Sequence, residues 1–406
     1  MVPGVREAGG GAGGVATRWV WTAAWPVTAV FVLSNAATPL YVRWQREIGF
    51  SKGTLTVIFA CYIVGLLGSL LVSGVVSDRV GRKPVLLPAL GLALAACAIF
   101  ASASSVAALI VARLFSGVAV GAVVSAGMAA VTDVAGPGRR RLAALLASCA
   151  MVFGAGLGPL LAGVLGEGVF ALEAVLLVAA VLVVVRMPLG GSSGASAQAA
   201  PTSGAWVRIP GVPRGSGGEL LMGIAVFAPG ITATSFVLSL GPSLLSGLLD
   251  TTSPVVAGAM AFVMFLTATG AQFVVQRLDR RTILLAGAVS TTLGMGALIA
   301  AVRASSVPLL VAAALLAGAG QGMGQLGGLS LLNSSVPPSR LAEANAAFNV
   351  GGYVPAGVLP VTAGYLSDAV GLTAGATVFG AVLMALALVG GLVVRTGPSA
   401  VERKEA

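Results

Sequence analysis

The chain has 406 residues, of which 57% are hydrophobic and 9% charged, and its mean hydropathy is +1.01. Soluble domains carry roughly a quarter charged residues, so a soluble fold is excluded: too few polar side chains exist to cover its surface. The net charge of +10 lies between apolar stretches, which reads as orientation in a membrane rather than as nucleic-acid binding.

The chain opens on a Gly-rich stretch, 1–17, that predicts a flexible cytoplasmic tail; the apolar run after it is too long for a cleaved leader. Continuous apolar runs follow at 19–42, 53–76, 84–103, 106–132, 142–165 and 169–187. They do not alternate with period two, so membrane helices are predicted rather than barrel strands. Residues 188–217 are rich in Gly, Ser, Ala and Pro, cannot bury a core and predict a flexible cytoplasmic linker, with Trp206 and Ile209 at the membrane surface. Six more runs occupy 219–246, 254–275, 283–302, 306–332, 342–366 and 372–394, and 395–406 form a second cytoplasmic tail. A crossing takes about 20 residues, so each run is one helix. The expected fold is all-α and integral to the membrane, with twelve helices in two bundles, 18–187 and 218–394.

An even number of crossings puts both termini on one face. Eighteen of the 23 Lys and Arg residues then share that face, four (Arg43, Arg46, Lys52 and Arg303) lie on the other, and Arg113 lies inside a helix. The bias predicts cytoplasmic termini. There is no histidine, and Cys61, Cys97 and Cys149 are scattered through apolar runs. The cysteines read as packing residues, with neither a disulfide framework nor metal-ligand spacing.

The two halves repeat. SDRVGRKPVL (77–86) matches VQRLDRRTIL (275–284) at an offset of 198, pairing Arg79 with Arg277, Arg82 with Arg280 and Lys83 with Arg281. At an offset of 201, Gly117 and Gly121 pair with Gly318 and Gly322, and PLLAG (159–163) with PVTAG (360–364). Duplicated six-helix units are a transporter plan, with the substrate site at mid-membrane between them.

The segment GVVSDRVGRKPVL, 74–86, resembles the loop signature G-x-L-A-D-R-x-G-R-K/R-x-x-L of the major facilitator superfamily. Gly74, Asp78, Arg79, Gly81, Arg82, Lys83 and Leu86 match; Val76 and Ser77 depart from it. The resemblance implies a conformational latch. Asp78 would face the N-terminus of the eleventh helix, where a carboxylate meets a positive partial charge worth about 0.3–1 kcal/mol when exposed and up to ~2 when partly buried. Arg82 would bridge to Asp133, and the latch would hold the cytoplasmic side closed. The second copy has Gln276 and Asp279 in place of Asp78 and Gly81, so one strong latch is expected.

LIVARLFSGVAVGA, 109–122, is similar to the family's fourth-helix motif through Arg113, Gly117 and Gly121, with Ser116 in place of the frequent Gln. Arg113 has two readings. It faces the interior, where it finds partners on the first helix near Asn35 and serves coupling or anion contact, or it snorkels to the headgroups two turns away. GAGLGPLLAG, 154–163, resembles the fifth-helix signature of drug:proton antiporters through Gly154, Gly158, Pro159 and Gly163; Ala162 replaces one Gly. Glycines four apart give a smooth face for close helix contact, and Pro159 bends the helix.

In the family the first, fourth, seventh and tenth helices line the cavity. Here they offer Asn35, Arg113, Thr232, Thr234, Ser235, Gln321 and Gln325. Asn345, Asn349 and Tyr353 form a four-spaced stripe on the eleventh helix, and Tyr62 is a further candidate. Such stripes avoid lipid; they line the pathway or bond a neighbouring helix. Few polar anchors on an apolar path suit an amphiphilic or drug-like substrate better than a sugar.

The first helix carries Asn35 and no acid, and the remaining carboxylates are expected near the membrane faces. Glu167 and Asp368 correspond at an offset of 201; they are outer protonation sites or outer-end helix contacts. The resemblance as a whole implies a transporter that exports a small apolar or amphiphilic compound by alternating access, as a proton antiporter. Import or facilitated passage is the alternative, and a non-transporting sensor a remote third. No enzymatic constellation is present, no cofactor beyond the proton gradient is expected, and the partners are a small molecule and the bilayer, not nucleic acid. A multi-pass monomer in the cytoplasmic membrane is expected.

Overall fold

A computed structural model describes residues 17–189, 206–249 and 253–397. The tails 1–16 and 398–406, and residues 190–205 of the linker, lie outside the described residues.

Among the described residues, twelve helices cross the bundle. They are α1 (Trp25–Ala36, entered through Thr17–Ala23), α2 (Lys52–Val80), α3 (Lys83–Ala101), α4 (Val106–Ala122, prolonged by Met128–Ala135), α5 (Arg140–Leu165) and α6 (Gly168–Arg186). The second half holds α7 (Gly217–Leu249), α8 (Pro254–Val275), α9 (Arg280–Arg303), α10 (Val307–Ser335), α11 (Leu341–Val370) and α12 (Leu372–Thr396). We call the face with the chain ends terminal and the opposite face distal.

The sequence predicts one helix over 19–42, but the chain there is segmented. Pro39 sits in a tight turn, Thr38–Leu40, followed by Tyr41–Trp44 and the wide turn Gln45–Gly49. A proline has no N–H for the regular ladder, so the helix changes pitch there. Among the described residues, eleven of these helices are long and apolar enough to span a membrane, and α11 is not one of them.

Helix starts follow local chemistry. Ser51 caps α2 through the Thr54 N–H at 3.1 Å, Ser105 caps α4 through Ala108 N–H at 3.3 Å, and Asp279 caps α9 through Thr282 N–H at 2.9 Å. Each satisfies a backbone donor that the helix leaves free. Gly81 ends α2 with φ at 97°, a conformation that costs side-chain-bearing residues energy.

The internal repeat reappears as repeated contacts. Gly117 and Gly121 lie against the Tyr62 and Leu66 carbonyls of α2, and Gly318 and Gly322 against the Met264 and Ala268 carbonyls of α8. In each half the basic turn also ties its own bundle together. Arg82 donates to Asp133 on α4 at 3.0 Å, and Arg280 to Ser334 on α10 at 2.7 Å. Lys83 donates to the Val185 carbonyl at the end of α6, and Arg281 to the Arg395 carbonyl at the end of α12. A cation at a helix C-terminus meets free carbonyls and negative partial charge.

Buried aromatic stacks stiffen the halves: Trp44, Phe100 and Phe170 in the first, Phe227 against Phe348 in the second. Large apolar side chains such as Val175, Val274 and Leu392 are exposed on the outside, which hydrocarbon, not water, accommodates. The halves meet along two helix pairs, α2 with α11 and α5 with α8.

Candidate gates and transport pathway

At the distal face the halves are locked together. Asp368, past the apolar part of α11, accepts the N–H of Lys52 at 3.0 Å and of Gly53 at 2.8 Å. These are free donors of the first turn of α2, so the carboxylate caps that helix from the other half. Burial alone would raise its pKa; the Gly53 N–H, the Ser51 hydroxyl, the Lys52 N–H and the Lys52 charge outweigh this and hold it below the usual value. Close packing surrounds the cap: Gly53 lies against the Tyr365 ring, and Gly364 against Thr56 and the Lys52 carbonyl. Of the two readings of Asp368, the geometry is that of a helix contact. Its counterpart Glu167 stands 3.5 Å from Arg43 within the first half.

The second distal seam is built by α5. Gly163 lies against the Pro254 carbonyl and Val255 Cα, and the Pro159 carbonyl meets Gly258. On another face, Gly154 and Gly158 lie against the Thr28 and Val32 carbonyls of α1. The fifth-helix signature thus presses α5 against its own bundle with two glycines and against the other half with Pro159 and Gly163.

At the terminal face the expected Arg82–Asp133 bridge forms at 3.0 Å, and the Asp78 contact departs from the expected latch. Asp78 pairs with Arg82 at 2.6 Å and with Arg208 of the linker at 3.8 Å; neither partner belongs to α11. Near the start of α11 the Glu343 carbonyl instead accepts the N–H of Gly211, another linker residue. The linker lies where the sequence places the helix contact, and the described part of it is docked rather than loose. Trp206 and Ile209 are exposed, and the Arg79 guanidinium stacks 4.5 Å from the Trp206 ring. Gly74 lies against the Arg208 guanidinium.

Arg113 is fully buried, which removes the snorkelling reading. Its Nε donates to the Tyr41 hydroxyl and its Nη1 to the Ser34 carbonyl at 2.6 Å, one residue from the expected Asn35. The rings of Tyr41, Phe59, Tyr62 and Phe100 stand within 5.1–5.9 Å of the guanidinium carbon. Its Nη2 has no partner, and no carboxylate pairs with it among the described residues. The burial is stabilised by hydrogen bonds and ring faces but leaves the charge uncompensated.

Most of the remaining pathway candidates are half-buried. Tyr62 stands beside Ser34 and within electrostatic reach of Tyr353, and Tyr353 packs edge-on against Phe227. Gln321 and Gln325 bond each other at 3.4 Å, and Asn349 donates to the Asn345 carbonyl at 2.9 Å. Asn35 donates to the Ser34 hydroxyl at 3.0 Å. On α7, Thr234 bonds its own helix, Ser235 is buried, and Thr232 is fully buried with its hydroxyl unpaired.

One acid was not anticipated. Glu173, within α6, is the only fully buried carboxylate among the described residues, and both its oxygens lack a partner. The expectation that the remaining carboxylates lie near the faces is therefore wrong. An acidic residue inside the run 169–187 was the available signal. Buried ionisable groups in membrane helices are costly.

Comparison with known proteins places these features in a family. The Major Facilitator Superfamily model matches residues 13–271 and again 217–406, the second match starting with α7. The 3-(3-hydroxy-phenyl)propionate transporter of Escherichia coli (strain K12) is 36% identical over 104 residues, a quarter of each chain. The nucleoside transporter NupG superposes with a TM-score of 0.74 at 12% identity, covering 94% of this chain and all of that one. A D-xylose-proton symporter does so with a TM-score of 0.71 at 15% identity, covering 94% and 98%. At those identities the two structures speak for the fold alone. The family match spans both repeats, the basic turn and the glycine seams, and the chain belongs to the Major Facilitator Superfamily of membrane transporters.

Proposed function

We propose that the chain exports a small, largely apolar or amphiphilic compound, drug-like or a secondary metabolite, across the cytoplasmic membrane by alternating access in exchange for protons. Both termini and the linker are cytoplasmic in this reading, and the transporter works as a monomer. The observation that carries it is α5. Its signature glycines and Pro159 form tight seams with α1 and α8, which suits a seal against leakage on the side where cargo is released. With the distal ends packed together, the pathway faces the cytoplasm, ready to load cargo for export. Asp78, Arg82 and Asp133 form the cytoplasmic latch cluster. Gly74, Arg79, Gly81 and Lys83 shape its turn, and Tyr62, Gln321, Gln325, Asn349 and Tyr353 supply the few polar anchors of the path.

Inverted and right-side-out vesicles of cells making the protein test direction. Apolar dyes and antibiotics are offered with a pH gradient while internal pH is recorded. Accumulation in inverted vesicles with proton counterflow is expected; accumulation only in right-side-out vesicles overturns export.

A second reading, uptake of an aromatic acid, is favoured by Arg113. Its unpaired nitrogen lies in a box of rings, which suits a carboxylate on an aromatic body. The E. coli relative is named for such a substrate. Labelled phenylpropionate derivatives in the same two vesicle types separate this reading from the first.

A further inference from the structure

The linker segment 206–211 touches both halves. The Arg208 N–H donates to the Leu71 carbonyl of α2 at 2.8 Å, and its guanidinium lies against Gly74 and 3.8 Å from Asp78. Leu71, Gly74 and Asp78 share one face of α2 at helical spacing. Three residues after Arg208, the Gly211 N–H donates to the Glu343 carbonyl of α11. The chain then reaches α10, where the Ser216 hydroxyl donates to the Ser335 carbonyl at 3.2 Å.

α2 and α11 run antiparallel, because Lys52 meets Asp368 at the distal face. Closing their terminal ends therefore brings the C-terminal end of α2, with Asp78, onto the N-terminal turn of α11. The distal face already shows the device such ends make: a carboxylate in the last turn of one helix capping the start of the other. At the terminal face, Arg208 stands on that surface.

We propose that Arg208 is a positioning residue of the transport cycle. It acts as a removable strap that holds the terminal ends of the halves apart by occupying the Gly74–Asp78 surface, and it leaves when α11 takes its place. Two features make the strap removable. Trp206, Val207 and Ile209 are exposed and bury no core. The Arg208–Asp78 pair is partly solvated, with side-chain exposures of 27% and 49%, so it holds weakly. The inference rests on alternating access, not on the cargo or its direction.

The test measures distances without substrate. Spin labels are placed at Gly138→Cys and Ser339→Cys, exposed turns of the two halves on the terminal face, with Cys61, Cys97 and Cys149 replaced by serine or alanine. Arg208→Ala and Arg208→Gln are each expected to raise the ratio of short to long distances at least threefold. Arg208→Lys should restore most of the parent distribution. Arg214→Ala, on the exposed linker beside it, should leave the distribution unchanged. Unchanged distances in both Arg208→Ala and Arg208→Gln overturn the strap, as does an equal shift in Arg214→Ala. Failure of the export assay with the distance shift intact removes the proposed function and leaves the strap standing.

Discussion

The carboxylate of Asp368 accepts the backbone N–H of Gly53 at 2.8 Å across 315 residues of sequence, joining the end of α11 to the start of α2. Charge placed on a helix N-terminus is worth about 0.3–1 kcal/mol when exposed, and Asp368 is exposed. A two-state gate responds to that amount with a shift of roughly two- to fivefold in population. Asp368→Asn is therefore expected to raise the distal-open population by about that factor. Spin labels at Ser104→Cys and Ala304→Cys, on distal turns of the two halves, read it.

The pH dependence of the same contact has a definite sign. The latched carboxylate titrates below the ordinary value of 3.8, so the contact is fully formed above that value and is lost as pH falls through the lowered one. Distal distances in the parent protein should be constant from about pH 8 to about pH 5 and widen only below about pH 4. Opening near neutral pH would show that another group controls the gate.

Two glycines of α5 should fail differently. Gly158 faces the Val32 carbonyl inside its own bundle, and Gly163 faces Pro254 and Val255 of the other half. A bulkier side chain at Gly158 has to push apart helices of one rigid unit, which typically costs about 1–3 kcal/mol. Gly158→Val should therefore lower the melting temperature in detergent. In the proposed cycle Gly163→Val meets a seam that opens, so it should leave the melting temperature nearly unchanged and widen the distal distances.

Arg113 separates stability from function. It is a buried cation with an unpaired nitrogen and no counter-ion among the described residues. Holding a charge without a counter-ion inside a protein costs several kcal/mol, and an apolar side chain of similar volume relieves that cost. Arg113→Met should keep or raise the melting temperature while transport falls at least tenfold. A melting temperature that falls with activity would make the residue structural.

Glu173 is the converse case. Both its oxygens are buried without partners, and an unmet buried polar group costs about 1–3 kcal/mol. Glu173→Leu should raise the melting temperature. Proton flux in liposomes then decides whether that cost serves coupling: retained flux assigns the residue no part in it.

Local patterns were legible because they depend on neighbours in sequence. The runs that became α2 to α10 and α12 needed only continuous apolar length, and the basic turn 77–86 needed only its own residues to end α2 at Gly81. Segmentation of the first run at Pro39 was less so, since hydropathy does not register the lost N–H. The offset of 201 that pairs Gly117 with Gly318 correctly anticipated equivalent contacts, because a duplicated sequence packs the same way twice. The pathway candidates were named by polarity, helical spacing and the family's cavity-lining helices, none of which says which partner a side chain takes: Asn349 bonds its own helix, while Gln321 and Gln325 bond each other.

The sequence by itself determined the class of the protein, the number and order of its helices, the duplication and the family motifs. Each of these follows from hydropathy, charge and spacing along the chain. Tertiary structure alone decided that Asp368 caps α2, that Asp78 is held by Arg82 and Arg208 rather than by α11, that Arg113 turns inward to Tyr41 and Ser34, and that Glu173 is buried without a partner among the described residues. Those facts depend on which helix ends meet across hundreds of residues and on which side of the bundle is packed shut. That is a property of the relative placement of the two halves, which no local pattern encodes.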